Sequence, residues 1–181
     1  AMDAPTFRYH PHPFATGSLE TSDTVCRACG QARGLVYVGP VFCEEELNEA
    51  LCPWCIADGT AHETFEAEFV DRDAIGGYGK WDDVPEAVVE EVATRTPGFS
   101  GWQQEQWFTH CGDAAEFVGR AGYKELRAFG PGAIAAIRAD AEMDDEDWES
   151  YFKAFDKDGT PTAYVFRCRH CAALGGYSDS D

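Results

Sequence analysis

Two Cys-x-x-Cys pairs separated by a short spacer constrain this chain more than any other feature. Two residues between cysteines let one tight turn aim both sulfurs at one point. Two such turns supply the four thiolates of a tetrahedral zinc site, with Zn–S near ~2.3 Å. Cys26-x2-Cys29-x22-Cys52-x2-Cys55 fits that layout, with a spacer slightly longer than the usual range. Gly30, directly after the second sulfur, suits such a knuckle because glycine takes a positive φ at little cost. The expectation is one Zn2+ held by Cys26, Cys29, Cys52 and Cys55. Cys43 is expected to stand apart as a small buried hydrophobe or a surface thiol.

Two other readings of these cysteines compete. Met2-Asp3-Ala4-Pro5-Thr6 has neither the basic nor the apolar stretch of a secretory signal, and Ala1 ahead of Met2 reads as a cloning remnant. No apolar run approaches the roughly 18 residues needed to span a bilayer. The expected compartment is therefore the cytoplasm, where thiols stay reduced and disulfides are disfavoured. A redox centre is the other alternative, since Cys52-Pro53-Trp54-Cys55 resembles the active-site motif of glutaredoxins. That motif belongs after a buried strand of a βαβ unit. Here it follows the acidic run Glu44-Glu45-Glu46-Leu47, and the Cys26/Cys29 pair makes zinc the favoured reading.

A third pair, Cys168-Arg169-His170-Cys171, lacks a fourth pair to complete it. Cys111 and its neighbours His110 and Asp113 are the candidates. A second Zn2+ would use Cys111, Cys168 and Cys171 with His110, Asp113 or water. A closed Cys3His set is structural, whereas three protein ligands plus water is the layout of a catalytic zinc. His170, inside the knuckle, is expected to point outward.

The charge balance excludes some partners. With 33 acidic and 14 basic side chains the net charge is −19, which repels phosphate backbones, and no Lys/Arg cluster offsets it. Neither nucleic acid nor membrane is an expected partner. The acidity speaks to solubility first, and second to an acidic surface for a basic protein. Apolar residues, 44% of the chain with 12 Phe, 7 Tyr and 5 Trp, suffice for a packed core.

Residues 5–23 read as an extended lead-in and residues 35–38 as a strand closed by Gly39-Pro40. A short helix is expected over 44–51, a helix or strand over 60–69, and a glycine-rich loop over 71–81. A helix over 83–94 would take Asp83 as cap and carry Val84, Val88 and Val92 on one face. Helices are further expected over 122–128, over 131–143 with Ile134 and Ile137 on one face, and over 148–155. The last follows a seven-acid stretch, 140–149, read as a solvated loop. Residues 162–166 are the clearest strand. The fold class is α+β, a zinc-ribbon-like N-terminal part (2–75) packed on a mixed C-terminal part (76–181).

Three other motifs bear on function. Asp156-Lys157-Asp158-Gly159 fails as a calcium loop, because aligning Gly159 to the sixth position puts Ala154 and Val165 where oxygen donors belong. His10-Pro11-His12 is read as a solvated pair. Trp102-Gln103-Gln104-Glu105-Gln106-Trp107 suits either a recognition surface or, slightly ahead, tryptophans packed in the core.

The chain resembles the CbrC-like proteins, a poorly characterised bacterial group. The resemblance rests on Phe7-Arg8-Tyr9-His10-Pro11, Cys26-x-x-Cys29-Gly30, Gly39-Pro40 and Ala50-Leu51-Cys52-Pro53-Trp54-Cys55-Ile56-Ala57-Asp58-Gly59. It continues through Arg95-Thr96-Pro97-Gly98-Phe99-x-Gly101-Trp102-Gln103-Gln104-Glu105, His110-Cys111-Gly112-Asp113 and Phe166-Arg167-Cys168-x-His170-Cys171. It implies an association with tolerance to a nuclease bacteriocin, a colicin. It also implies that some relatives carry a cysteine at the position of Ala115, which here would leave the second site weakened or dependent on another ligand. The expected function is a zinc-stabilised, protein-binding tolerance or immunity-like factor. Immunity proteins against nucleases are commonly acidic, and complementary charge speeds association. The alternative is a zinc-dependent hydrolase with an open metal near Cys111, Cys168 and Cys171, and His110, Asp113 or Glu105 as general base.

Overall fold

The computed structural model describes residues 4–181, so the readings of Ala1 and Met2 lie outside the described residues. The architecture is α+β, with small antiparallel sheets and six α-helices among the described residues. The chain begins with strands β1 (Leu19–Ser22) and β2 (Gly34–Tyr37), paired antiparallel with Leu19 opposite Tyr37. Helices α1 (Pro53–Ala57), α2 (Thr60–Phe65) and α3 (Glu86–Arg95) follow. A two-residue ladder joins β3 (Thr109–His110) to β4 (Asp113–Ala114). Strand β5 (Glu116–Ala121) then leads into α4 (Tyr123–Phe129), α5 (Pro131–Ala141) and α6 (Asp145–Ala154). Strands β6 (Thr162–Arg167) and β7 (Leu174–Asp179) complete a three-stranded antiparallel sheet in the order β5-β6-β7.

Strand β6 is the hub because both its faces are buried. Side chains alternate across a strand. Tyr164 and Phe166 therefore join Phe99, Trp107 and Phe117 in one aromatic cluster, while Ala163 and Val165 pack with Leu126, Ile137, Trp148 and Phe155 on the other side. Helix α5 lies close on β7, with Ile137 against Gly176, and a Cβ on Gly176 would also collide with the Tyr164 carbonyl of β6. A third cluster, with Leu19, Tyr37, Leu51, Ile56 and Phe69, surrounds the first cysteine group.

Several local expectations are corrected. Residues 44–51 form no helix. Their backbone is recruited elsewhere: Arg27 N–H donates to the Ala50 carbonyl at 2.9 Å and Tyr37 N–H to the Leu51 carbonyl at 2.8 Å. The helix starts instead at Pro53, whose ring disfavours helical backbone in the residue before it. Asp83 does not cap α3, which begins after Pro85. Much of the acidic stretch is helical. Asp144 caps α6 by accepting from Asp147 N–H at 2.8 Å, and three acids fill the first turn, where the helix dipole favours them. The 5–23 segment contributes β1, and β5 and β7 form where the sequence pattern announces no strand. No helix among the described residues is long and apolar enough to cross a membrane.

Candidate metal centres

Each cysteine group is built from a tight backbone knuckle. In the first, Cys26 N–H donates to the Gln31 carbonyl (2.9 Å) and Gly30 N–H to the Cys26 carbonyl (2.8 Å). The third pair repeats this pattern residue for residue: Cys168 N–H donates to the Ala173 carbonyl (2.8 Å), and Ala172 N–H to the Cys168 carbonyl (3.1 Å). Backbone N–H groups also point at the leading sulfurs, Ala28 at Cys26 (3.4 Å) and His170 at Cys168 (3.4 Å). Gly30 and Ala172 occupy the same left-handed position, φ +71° and +63°.

The first group is completed by α1, which carries Cys55 and has Cys52 at its N-cap. Cys26 and Cys55 sulfurs lie 3.8 Å apart, those of Cys29 and Cys52 3.9 Å, and all four within 4.8 Å of one another. A disulfide needs about 2.05 Å, and all eight cysteines are free thiols. Cys26, Cys52 and Cys55 are buried, and Cys29 is half-buried.

The second group forms where the β3–β4 turn meets the β6–β7 knuckle. His110 pairs with Asp113 across a two-residue loop, Cys111-Gly112, in which both residues have positive φ (+55° and +71°). That is the mark of a type I′ turn. The turn delivers Cys111 Sγ to 3.8 Å from Cys171 Sγ. His110 Nδ1 stands 3.3 Å from Cys111 Sγ and 3.5 Å from Cys171 Sγ, and Cys168 completes the group within 4.8 Å. Cys111 and Cys171 are exposed, Cys168 is buried.

Crowding shifts these thiols in opposite directions. Burial raises Cys26 and Cys168, but N–H donors outweigh it and bring them to about 7 and about 6. Burial pushes Cys52 up to about 11, and neighbouring Cys168 and Cys171 push Cys111 up to about 11. Without a cation, the Cys26 thiolate helps hold the proton on Cys52, and the Cys168 thiolate that on Cys111. A bound divalent metal inverts that logic, because a coordinating thiol is deprotonated outright.

Of the candidate fourth ligands, His110 joins the second group and Asp113 does not. Asp113 instead accepts from Tyr9 OH (2.9 Å) and contacts Arg169 Nη1 (2.9 Å) and His170 Nε2 (2.8 Å). Burial would raise its pKa, yet these bonds hold it below the ordinary carboxylate value. His170, though exposed, is therefore engaged with Asp113. Nothing local in the sequence announces this brace, because Tyr9 lies 104 residues from Asp113. Ala115 is buried, and its carbonyl accepts from Trp107 Nε1 at 2.9 Å. Cys43 lies in neither group and donates its S–H to the Glu45 carbonyl (3.1 Å). Glu105 lines a separate cleft with Phe42, Phe99 and Trp107. Trp107 is buried while Trp102 remains 48% exposed, so the two tryptophans divide between the two readings. The solvated reading of His10 is corrected: it is fully buried, with Nδ1 2.7 Å from the Pro97 carbonyl and Nε2 2.6 Å from Thr16 Oγ1.

Residues 4–180 match the profile of an uncharacterised protein family, UPF0167. A UPF0167 protein of Mycobacterium bovis and one of Mycobacterium tuberculosis are each 48% identical over 180 residues, covering 97% of this chain and 92% of theirs. A UPF0167 protein of Pseudomonas aeruginosa is 44% identical over 168 residues, 92% of either chain. None of these three carries the CbrC-like label of the sequence resemblance. No solved structure matches the chain significantly.

Proposed function

This chain belongs to the UPF0167 family, and from that premise we propose that it is a protein-binding scaffold held together by two structural Zn2+ ions. The observation that carries the reading is the convergence of two four-donor groups on equivalent knuckles. Zinc with Zn–S near ~2.3 Å and Zn–N near ~2.0–2.1 Å puts tetrahedral sulfurs about 3.8 Å apart and a nitrogen about 3.6 Å from a sulfur. The sulfur pairs at 3.8–3.9 Å and the His110–sulfur distances of 3.3–3.5 Å fit those values. Sulfur-rich donor sets of this kind suit zinc better than oxygen-seeking cations.

Four protein donors fill a tetrahedral shell and leave no position for water, which a hydrolytic zinc requires. The hydrolase reading therefore ranks second. The net charge of −19 supports a basic protein partner, since complementary charge accelerates encounter. A role in colicin tolerance rests on the sequence resemblance alone.

Metal analysis of the purified chain tests the zinc reading. Two zinc equivalents are expected, with one lost in Cys26→Ser and one in Cys168→Ser. A wild-type chain with one equivalent or none, at full thiol count, would overturn it.

A further inference from the structure

Acidic side chains outnumber basic ones 33 to 14 in this chain, yet one cleft reverses the balance. Arg8, Arg95 and Arg169 line a cleft of about 460 Å³ in which Glu91 is the one acid among the lining residues. The three come from distant segments: the lead-in, the end of α3, and the second knuckle. Arg8 Nε pairs with Glu91 at 2.9 Å. Arg169 Nη1 pairs with Asp113 at 2.9 Å, and its guanidinium lies 5.3 Å over the Tyr9 ring. Among the described residues no ion pair or side-chain hydrogen bond engages Arg95, so no side chain there claims its N–H donors. A favourable position in the last turn of α3 would explain Arg95 by itself. It does not explain two further guanidinium groups lining the same cleft.

We propose that this cleft binds a small molecule through an oxyanion, a phosphate or a carboxylate. The guanidinium fork matches both groups and can hold either by two parallel N–H bonds. Each arginine carries five N–H donors, so Arg8 and Arg169 keep free donors after pairing with their carboxylates. Those carboxylates also hold the two side chains in place, which lowers the cost of ordering them around a ligand. A volume near 460 Å³ falls within the ~300–1,000 Å³ range of small-molecule sites, with room for the body that carries the oxyanion. A polyanion is disfavoured. Screening confines the cleft's field to about 8–10 Å, so an extended phosphate backbone would lie mostly against the acidic surface. The cleft also includes Ala57, two residues past Cys55, so its occupant would touch segments anchored at both cysteine groups.

Calorimetric titration of the full, metal-replete chain with inorganic phosphate and, separately, with citrate tests the proposal. Saturable one-site binding of at least one ion is expected at low salt. Arg95→Gln should weaken it about tenfold or more, the equivalent of one lost hydrogen bond to a charged group. Metal content should stay at the wild-type value, which separates this test from the zinc reading. Arg127→Gln removes a guanidinium on α4 outside the cleft and should bind as wild type. Tighter phosphate binding assigns a phosphorylated ligand, and tighter citrate binding a carboxylate. No saturable binding of either ion into the millimolar range would overturn the proposal. So would binding unchanged in Arg95→Gln, or lost equally in Arg127→Gln.

Discussion

Ala172 sits where the first knuckle has Gly30, and the difference sets up a paired test. Both residues are left-handed, φ +63° and +71°. An L-residue with a Cβ is about 1–2 kcal/mol worse there than in right-handed backbone. Glycine escapes that cost but loses about 0.5–1 kcal/mol more conformational freedom on folding. The net advantage of glycine is thus about 0.5–1 kcal/mol. Ala172 is exposed, so Ala172→Gly removes no packing and should stabilise by that amount. A Cβ on Gly30 would meet nothing within 4 Å, so Gly30→Ala should destabilise by the same amount for backbone reasons alone. For a chain of this size the shifts are about 1–4 °C in Tm, upward and downward respectively. Differential scanning calorimetry of the two metal-replete variants measures both. Shifts of the same sign, or a lowered Tm for Ala172→Gly, would refute the equivalence of the two knuckles.

Cys43→Ser should retain the full metal content, because Cys43 lies outside both groups and donates only to the Glu45 carbonyl. Loss of an equivalent on elemental analysis would reassign the first site. Burial pulls the His10 imidazole from an ordinary 6.5 to about 4, with a small further lowering from His12 against a raising bond to Pro97. The unfolded chain therefore takes up this proton first. The stability from neutral His10 is complete above pH 6.5 and is lost as pH falls toward 4, by about 3 kcal/mol. His10→Asn keeps a donor near the Pro97 carbonyl and removes the titration. Urea unfolding across that window should give a flatter pH dependence than wild type, and identical slopes would sink the assignment.

The first cysteine group was legible because its information is local: two short spacings and a glycine determine two turns. The second was legible only in part. Cys168 and Cys171 announce a knuckle, but their partners come from a hairpin 60 residues earlier, brought near by the pairing of β5 with β6. Strand β6 stood out because Ala163, Tyr164, Val165 and Phe166 combine apolar and β-favouring residues. Its neighbour β7 did not, since Gly175, Gly176, Ser178 and Asp179 are poor strand formers. There the close approach of the Phe108 ring to Gly175 and of the Tyr164 carbonyl to Gly176, which only glycines admit, overrides propensity. The arginine cleft was invisible in sequence, because its three cations belong to separate segments.

The two metal centres should differ in what their loss does to the fold. Loop-closure entropy barely separates them: the spans are 29 residues for Cys26–Cys55 and 60 for Cys111–Cys171, and a doubling is worth about 0.6 kcal/mol. The surroundings decide instead. The first group is part of its hydrophobic cluster, with Cys26, Cys52 and Cys55 buried beside Leu51 and Ile56. The sheet it anchors has two strands of four residues, and such a ribbon is marginal without support. The second group joins a hairpin to a turn whose strands already sit in a three-stranded sheet with both faces covered. Two of its cysteines are exposed, so emptying it leaves little unsatisfied in the core. Cys26→Ser should therefore open the region from Leu19 to Ala57 to hydrogen exchange, whereas Cys168→Ser should loosen only the two turns. Unchanged protection around Leu19–Tyr37 in Cys26→Ser would show that the first segment is held by packing rather than by its metal.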